Sequence, residues 1–157
     1  FLFCLCFWCK KNYLKIMLLD ALSYLNSILL GSMLFFVIIV SPTVFTSLSS
    51  DQASKFLRII FPRLFLFGLI LSLVTALGYY ISSLYIETIL ALVSSILFFL
   101  NRNLLTPMIN YHRDKEIEGD IKSKKYFKLL HLLSVLFFVM SSIILVFFLL
   151  NNTFNYV

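Results

Sequence analysis

The sequence predicts an all-α protein: a four-helix transmembrane bundle, up-down, with a short interfacial amphipathic helix between spans one and two. Three observations predict it. Of 157 residues, 61% are apolar and 13% charged, whereas about a quarter of the residues in soluble domains are charged. The apolar residues gather into four runs, each near the ~20 residues that a helix needs to cross a bilayer. Runs such as SIILVFFLL (142–150) do not alternate in polarity, as the strands of a membrane barrel must.

Composition excludes other classes. Eighteen Phe against 4 Gly and 3 Pro fit neither a disordered nor a collagen-like chain. The net charge of +6 does not point to nucleic acid. The basic residues flank apolar spans, where they orient the chain and meet anionic lipid headgroups.

Residues 1–16 read as an N-terminal extension of doubtful role, with Met17 as the expected natural start and 17–157 as a single four-span domain. The apolar run 1–9 is too short to span, and its lysines follow it, the reverse of a signal peptide. A short interfacial anchor is the alternative. Cys4, Cys6 and Cys9 are the only cysteines. An odd number outside the expected bundle implies no disulfide framework, and a soft-metal site there is considered and set aside.

The first span covers about 16–40. Asp20 lies in its first turn, where a carboxylate suits the positive helix end. Ser23, Ser27 and Gly31 recur every fourth residue, a narrow face for helix contact. Beyond it, Ser49 and Gln52 have capping-box spacing. Ala53, Phe56, Leu57 and Ile60 then share one face, with Lys55 and Arg58 off it, the pattern of an interfacial helix. Pro62 lacks an N–H and is expected to mark the bend into span two.

Span two covers about 61–81, with Gly68, Ser72 and Thr75 as its small-residue stripe. Tyr79, Tyr80 and Tyr85 gather around Ser82-Ser83, as aromatic residues do at a membrane interface. Span three covers about 84–105, with Glu87 in its first turn and a break expected at Pro107. A charged connection leads to span four at about 126–150.

The basic residues set the expected orientation. Lys55, Arg58 and Arg63 lie in the first connection. Arg102, Arg113, Lys115, Lys122, Lys124, Lys125 and Lys128 surround the third. The positive-inside rule puts both connections in the cytoplasm and both termini outside an inner, plasma membrane. That topology brings Ser41, Pro42, Thr43, Arg63, Asn101, Asn103, Thr106, His131 and Ser134 to one level. Intramembrane polar groups need partners, so an interhelical polar cluster is expected at this cytoplasmic mouth. It is either a packing lock or a pocket.

Gly31-Ser32 with Phe35 and Phe36, then SPTVF (41–45), FPR (61–63) with Gly68, N-x-x-T-P (103–107) and HLLS (131–134) follow one another in order. This pattern, over about Leu18 to Leu150, resembles the transmembrane protein 205-like family of small four-helix membrane proteins, a domain of unknown function. The resemblance implies the four-span fold. It marks Pro42, Phe45, Phe61, Pro62, Asn103, Pro107, His131 and Ser134 as family-defining positions, and it implies no reaction.

Specific chemistries are disfavoured. Spans one to three hold no His, so two histidines cannot clasp a haem across helices. Ser134 with His131 lacks an orienting group and an oxyanion hole. The span middles near Leu30, Ser72, Ser95 and Met140 carry no charge, unlike an ion-coupled transporter. The expectation is a non-enzymatic membrane component without metal or cofactor. Its partners would be membrane lipid and either further copies of the chain or partner membrane proteins. The alternatives are a channel or transport and tolerance factor for a small solute or metal ion, and a haem or metal carrier.

Overall fold

The computed structural model describes residues 13–151, so the three cysteines and most of the 1–16 extension lie outside the described residues. Four helices are long and apolar enough to cross a membrane: α1 (Tyr13–Ser47), α2 (Ser50–Ile81), α3 (Tyr85–Ile117) and α4 (Ile121–Asn151). They form an up-down ring in which α1 and α3 each pack against both α2 and α4. The α1–α2 and α3–α4 turns lie at one end, the basic end. The α2–α3 turn lies at the far end.

Each helix turns one face inward. On α1 the buried positions from Leu22 through the start of the π turn are Leu22, Asn26, Leu29, Met33 and Phe36, the four-three spacing that keeps one seam toward partner helices. The stripe of Ser23, Ser27 and Gly31 lies off this seam. Ser27 and Gly31 are exposed, and the hydroxyls of Ser23 and Ser27 donate to Leu19 and Ser23 carbonyls of their own helix. The bulky seam fills the bundle centre and turns the small residues outward. On α2 the stripe of Gly68, Ser72 and Thr75 does lie inside. A Cβ at Gly68 would come within 2.7–2.9 Å of the Phe98 ring, and one at Gly78 within 2.5 Å of the Leu22 side chain. Glycine at these two positions lets α3 and α1 approach.

The separate interfacial helix expected over 50–60 is instead the beginning of α2. The capping box forms: Ser49 Oγ accepts from the Gln52 N–H, and Gln52 Oε1 accepts from the Ser49 N–H. The helix it starts then runs unbroken through Pro62 to Ile81. A proline removes one backbone bond. A full break in a water-poor region would leave several backbone groups without partners, so continuing is the cheaper solution.

Pro107 does not break its helix either. Pro42 and Pro107 each follow a five-residue π turn, Phe36–Val40 and Asn101–Leu105. There Ser41 N–H reaches Phe36 O, and Thr106 N–H reaches Asn101 O. The wider turn relieves the proline ring's clash with the preceding turn. Threonine hydroxyls cap nearby carbonyls, Thr43 on Ile39 and Thr106 on Asn101, both at 2.7 Å.

At the α3–α4 turn Gly119 takes φ 97°, a left-handed conformation natural to glycine. Asp120 then starts α4, accepting from the Lys122 N–H at 3.0 Å and the Ser123 hydroxyl at 2.7 Å. The Ser123 hydroxyl and then the Lys122 amide hold its carboxyl below the ordinary 3.8. A lowered folded pKa stabilises above the unfolded value and is lost as pH falls through the folded one. Thermal unfolding in detergent between about pH 6 and pH 3 is therefore expected to show a loss of stability at the acid end. Asp120→Asn, which keeps the cap but cannot titrate, should reduce that loss.

Candidate functional site

Of the nine polar residues expected to meet at the basic end, the structure brings three together. Asn101 begins the π turn of α3 and is fully buried, while Thr106 and Ser134 are nearly so. The Asn101 amide donates to the Ser134 carbonyl at 3.3 Å, and the Thr106 hydroxyl donates to the Asn101 carbonyl. The first bond ties the π turn of α3 to α4, and the second closes the turn on itself. Asn101 Oδ1 has no protein donor, and neither do the buried hydroxyls of Ser72 and Ser94.

The other six lie elsewhere. Thr43 and Pro42 are exposed and Ser41 is half-buried on the outer end of α1. Asn103 is exposed and donates to Phe99 O of its own helix at 3.2 Å. It stands two residues from Asn101, about 200° around the helix. His131 is exposed and stacks on Phe127 at 6.1 Å, with the Arg113 guanidinium 5.4 Å from the same ring. Three residues fall about 60° short of a full turn, enough to swing His131 away from buried Ser134. Arg63 is exposed on α2. The expected single polar mouth is thus a three-residue tie plus outward-facing groups.

The structure adds polar pairs that the sequence reading did not foresee. At the far end the Asn26 amide donates to the Tyr79 hydroxyl at 2.8 Å, with both side chains buried. Asn151 donates to Glu87 at 3.0 Å. At the basic end Arg58 grips Asp114 through both terminal guanidinium nitrogens. Ser123, which donates to Asp120, lies 3.2 Å from His112 Nδ1. The serine proton is already committed to the carboxylate, so the His112 nitrogen is the donor in this contact. Ser123 is buried, and the chain of contacts caps a turn. Among the described residues no three His, Cys, Asp or Glu side chains stand together as a metal site requires.

A concavity lies on the side of α1 and α2. The backbone of α1 stands off from α2 at its π turn, where Phe36 and Phe61 meet edge-on with ring centroids 5.1 Å apart. An apolar groove of about 570 Å³ opens there, walled by Phe35 and Val40 of α1 and by Phe56, Ile60 and Phe67 of α2. Gly31 lines it too, and a Cβ added there would meet nothing within 4 Å. The two π turns therefore differ: the one in α3 is clamped by α2 and α4, and the one in α1 stands off from α2.

Four apolar helices in a ring, with most of the charge gathered at one end, define a multi-pass integral membrane protein. Across residues 24–118, more than half of its length, the chain matches the family described as Domain of unknown function (DUF4149), and it belongs to that family. The match takes in most of α1, all of α2 and α3, and stops before α4. No curated protein and no solved structure matches the chain.

Proposed function

We propose that the protein is a non-enzymatic component of the inner membrane that works by lateral binding within the bilayer, in a homo-oligomer or with a partner membrane component. In this reading both basic connections face the cytoplasm and both termini lie outside. Within its family the chain groups with the transmembrane protein 205-like proteins, on SPTVF, FPR, N-x-x-T-P and HLLS. The observation that carries the reading is the apolar opening between α1 and α2, where the π turn of α1 stands off from α2. A photo-crosslinking residue at position 31 in native membranes is expected to capture a protein or lipid well above the yield at outward-facing position 77. Equal yields at the two positions would contradict it.

A second reading, a channel or tolerance factor for a small solute, is favoured by the unpaired buried oxygens of Ser72, Ser94 and Asn101. Counting outward from the Gly68–Phe98 contact puts Ser72 level with Ser94 along antiparallel α2 and α3. Asn101→Leu separates the readings. A packing tie predicts lower protein abundance, by the ~1 kcal/mol that such interhelical bonds are worth. A solute path predicts altered uptake at unchanged abundance.

A further inference from the structure

We propose that the groove between α1 and α2 holds one acyl chain of an anionic glycerophospholipid from the surrounding bilayer, with Arg63 on its phosphate. The inference rests on the lateral-binding reading and names its partner. Four observations converge on it.

The first is lining. Every wall residue is apolar except Ser32, and its hydroxyl is already committed to the Ile28 carbonyl at 2.7 Å. Nothing in the groove seeks a polar partner, as suits a hydrocarbon chain. The second is reach. From Phe56 to Phe67 the groove follows eleven helical steps, roughly 16 Å at about 1.5 Å each. One leaflet of a ~30 Å hydrocarbon core is the same length. The third is access. Phe35, Phe56 and Phe67 remain 56%, 38% and 39% exposed, so the groove opens sideways to lipid.

The fourth is charge. Arg58 is held by Asp114 and Lys55 by Asp51. Arg63 is exposed and within ion-pair distance of no described carboxylate. On the helical wheel it falls beside Phe56, Ile60 and Phe67, at the outer lip of the groove. Helical side chains lean toward their N-terminus, which carries the guanidinium toward the basic end, where headgroups lie. A cation on a lipid-facing surface needs a partner. A phosphodiester above a seated acyl chain supplies it, with the charge-assisted geometry that suits arginine.

The test compares wild type, Arg63→Gln and Gly31→Leu in detergent, titrated with phosphatidylglycerol or phosphatidylcholine and read by native mass spectrometry. The wild type is expected to hold one lipid with about a fivefold preference for phosphatidylglycerol, the factor that one interfacial cation supplies. Arg63→Gln should keep the lipid and lose the preference. Gly31→Leu, at a position where an added Cβ meets nothing within 4 Å, should lose the lipid at unchanged helicity. Equal binding of both lipids by the wild type overturns the assignment to an anionic lipid, as does undiminished binding by Gly31→Leu. A wild-type dimer that Gly31→Leu dissolves, with no lipid bound, overturns it in favour of a second copy and leaves lateral binding standing. A bare monomer throughout removes both.

Discussion

Truncating Phe98 to alanine is expected to destabilise the bundle by about 3 kcal/mol, the lower end for a buried Phe, since lipid already solvates apolar groups and the loss is one of packing. Phe98 is 1% exposed and its ring lies over Gly68, in the space where a Cβ would sit. Gly68→Ala should therefore also destabilise, by about 1–3 kcal/mol of overpacking. The pair is expected to be strongly non-additive. Once the Phe98 ring is gone, the new methyl meets no clash and fills part of the cavity. Reversible unfolding in mixed micelles of the two single variants and the double should give a coupling of about 1 kcal/mol or more. Additivity would mean that the two residues do not meet.

The second large effect concerns the Asn26–Tyr79 bond. Tyr79→Phe takes away the acceptor of a fully buried amide, and a buried donor left unpaired costs about 1–2 kcal/mol. Replacing Asn26 by leucine as well removes the stranded group and restores an apolar seam. The double variant should recover at least about half of the single loss, because replacing both partners of a buried bond by apolar groups is nearly neutral. A double variant weaker than Tyr79→Phe alone would show that the polar pair itself, rather than its satisfaction, holds α1 against α2.

The fold was legible because bilayer thickness forces long apolar runs into helices, and four such runs leave little choice of architecture. Its faces were less so. On α1 two periodic stripes compete, and small residues suggested the wrong one. Leu22, Asn26, Leu29, Met33 and Phe36 form the real seam, and the signal for it was present. A lone asparagine at a seam position demands a buried partner, which Tyr79 is.

Prolines misled in a different way. Pro62, read as a bend, and Pro107, read as a break, both lie in helices that continue. At Pro62 the α-helix gives up one backbone bond, and at Pro107 the turn before it widens. Either costs a membrane-embedded chain less than leaving the helix. The polar mouth dispersed for a geometrical reason. Level along the bundle axis is readable from sequence, but rotation about each helix depends on packing. Asn103 and His131 share a level with Asn101 and Ser134 yet face outward. The groove was not legible at all, because it arises where two helices separate.

If the protein binds laterally at the α1–α2 opening, its partner should leave the membrane with it and can be weighed. Gentle detergent extraction followed by native mass spectrometry of wild type and Gly31→Leu makes the comparison. Added mass is expected on the wild type, a bound lipid or a further chain, and none on Gly31→Leu at the same helical content. A bare single chain for both, or the same added mass on both, would contradict it.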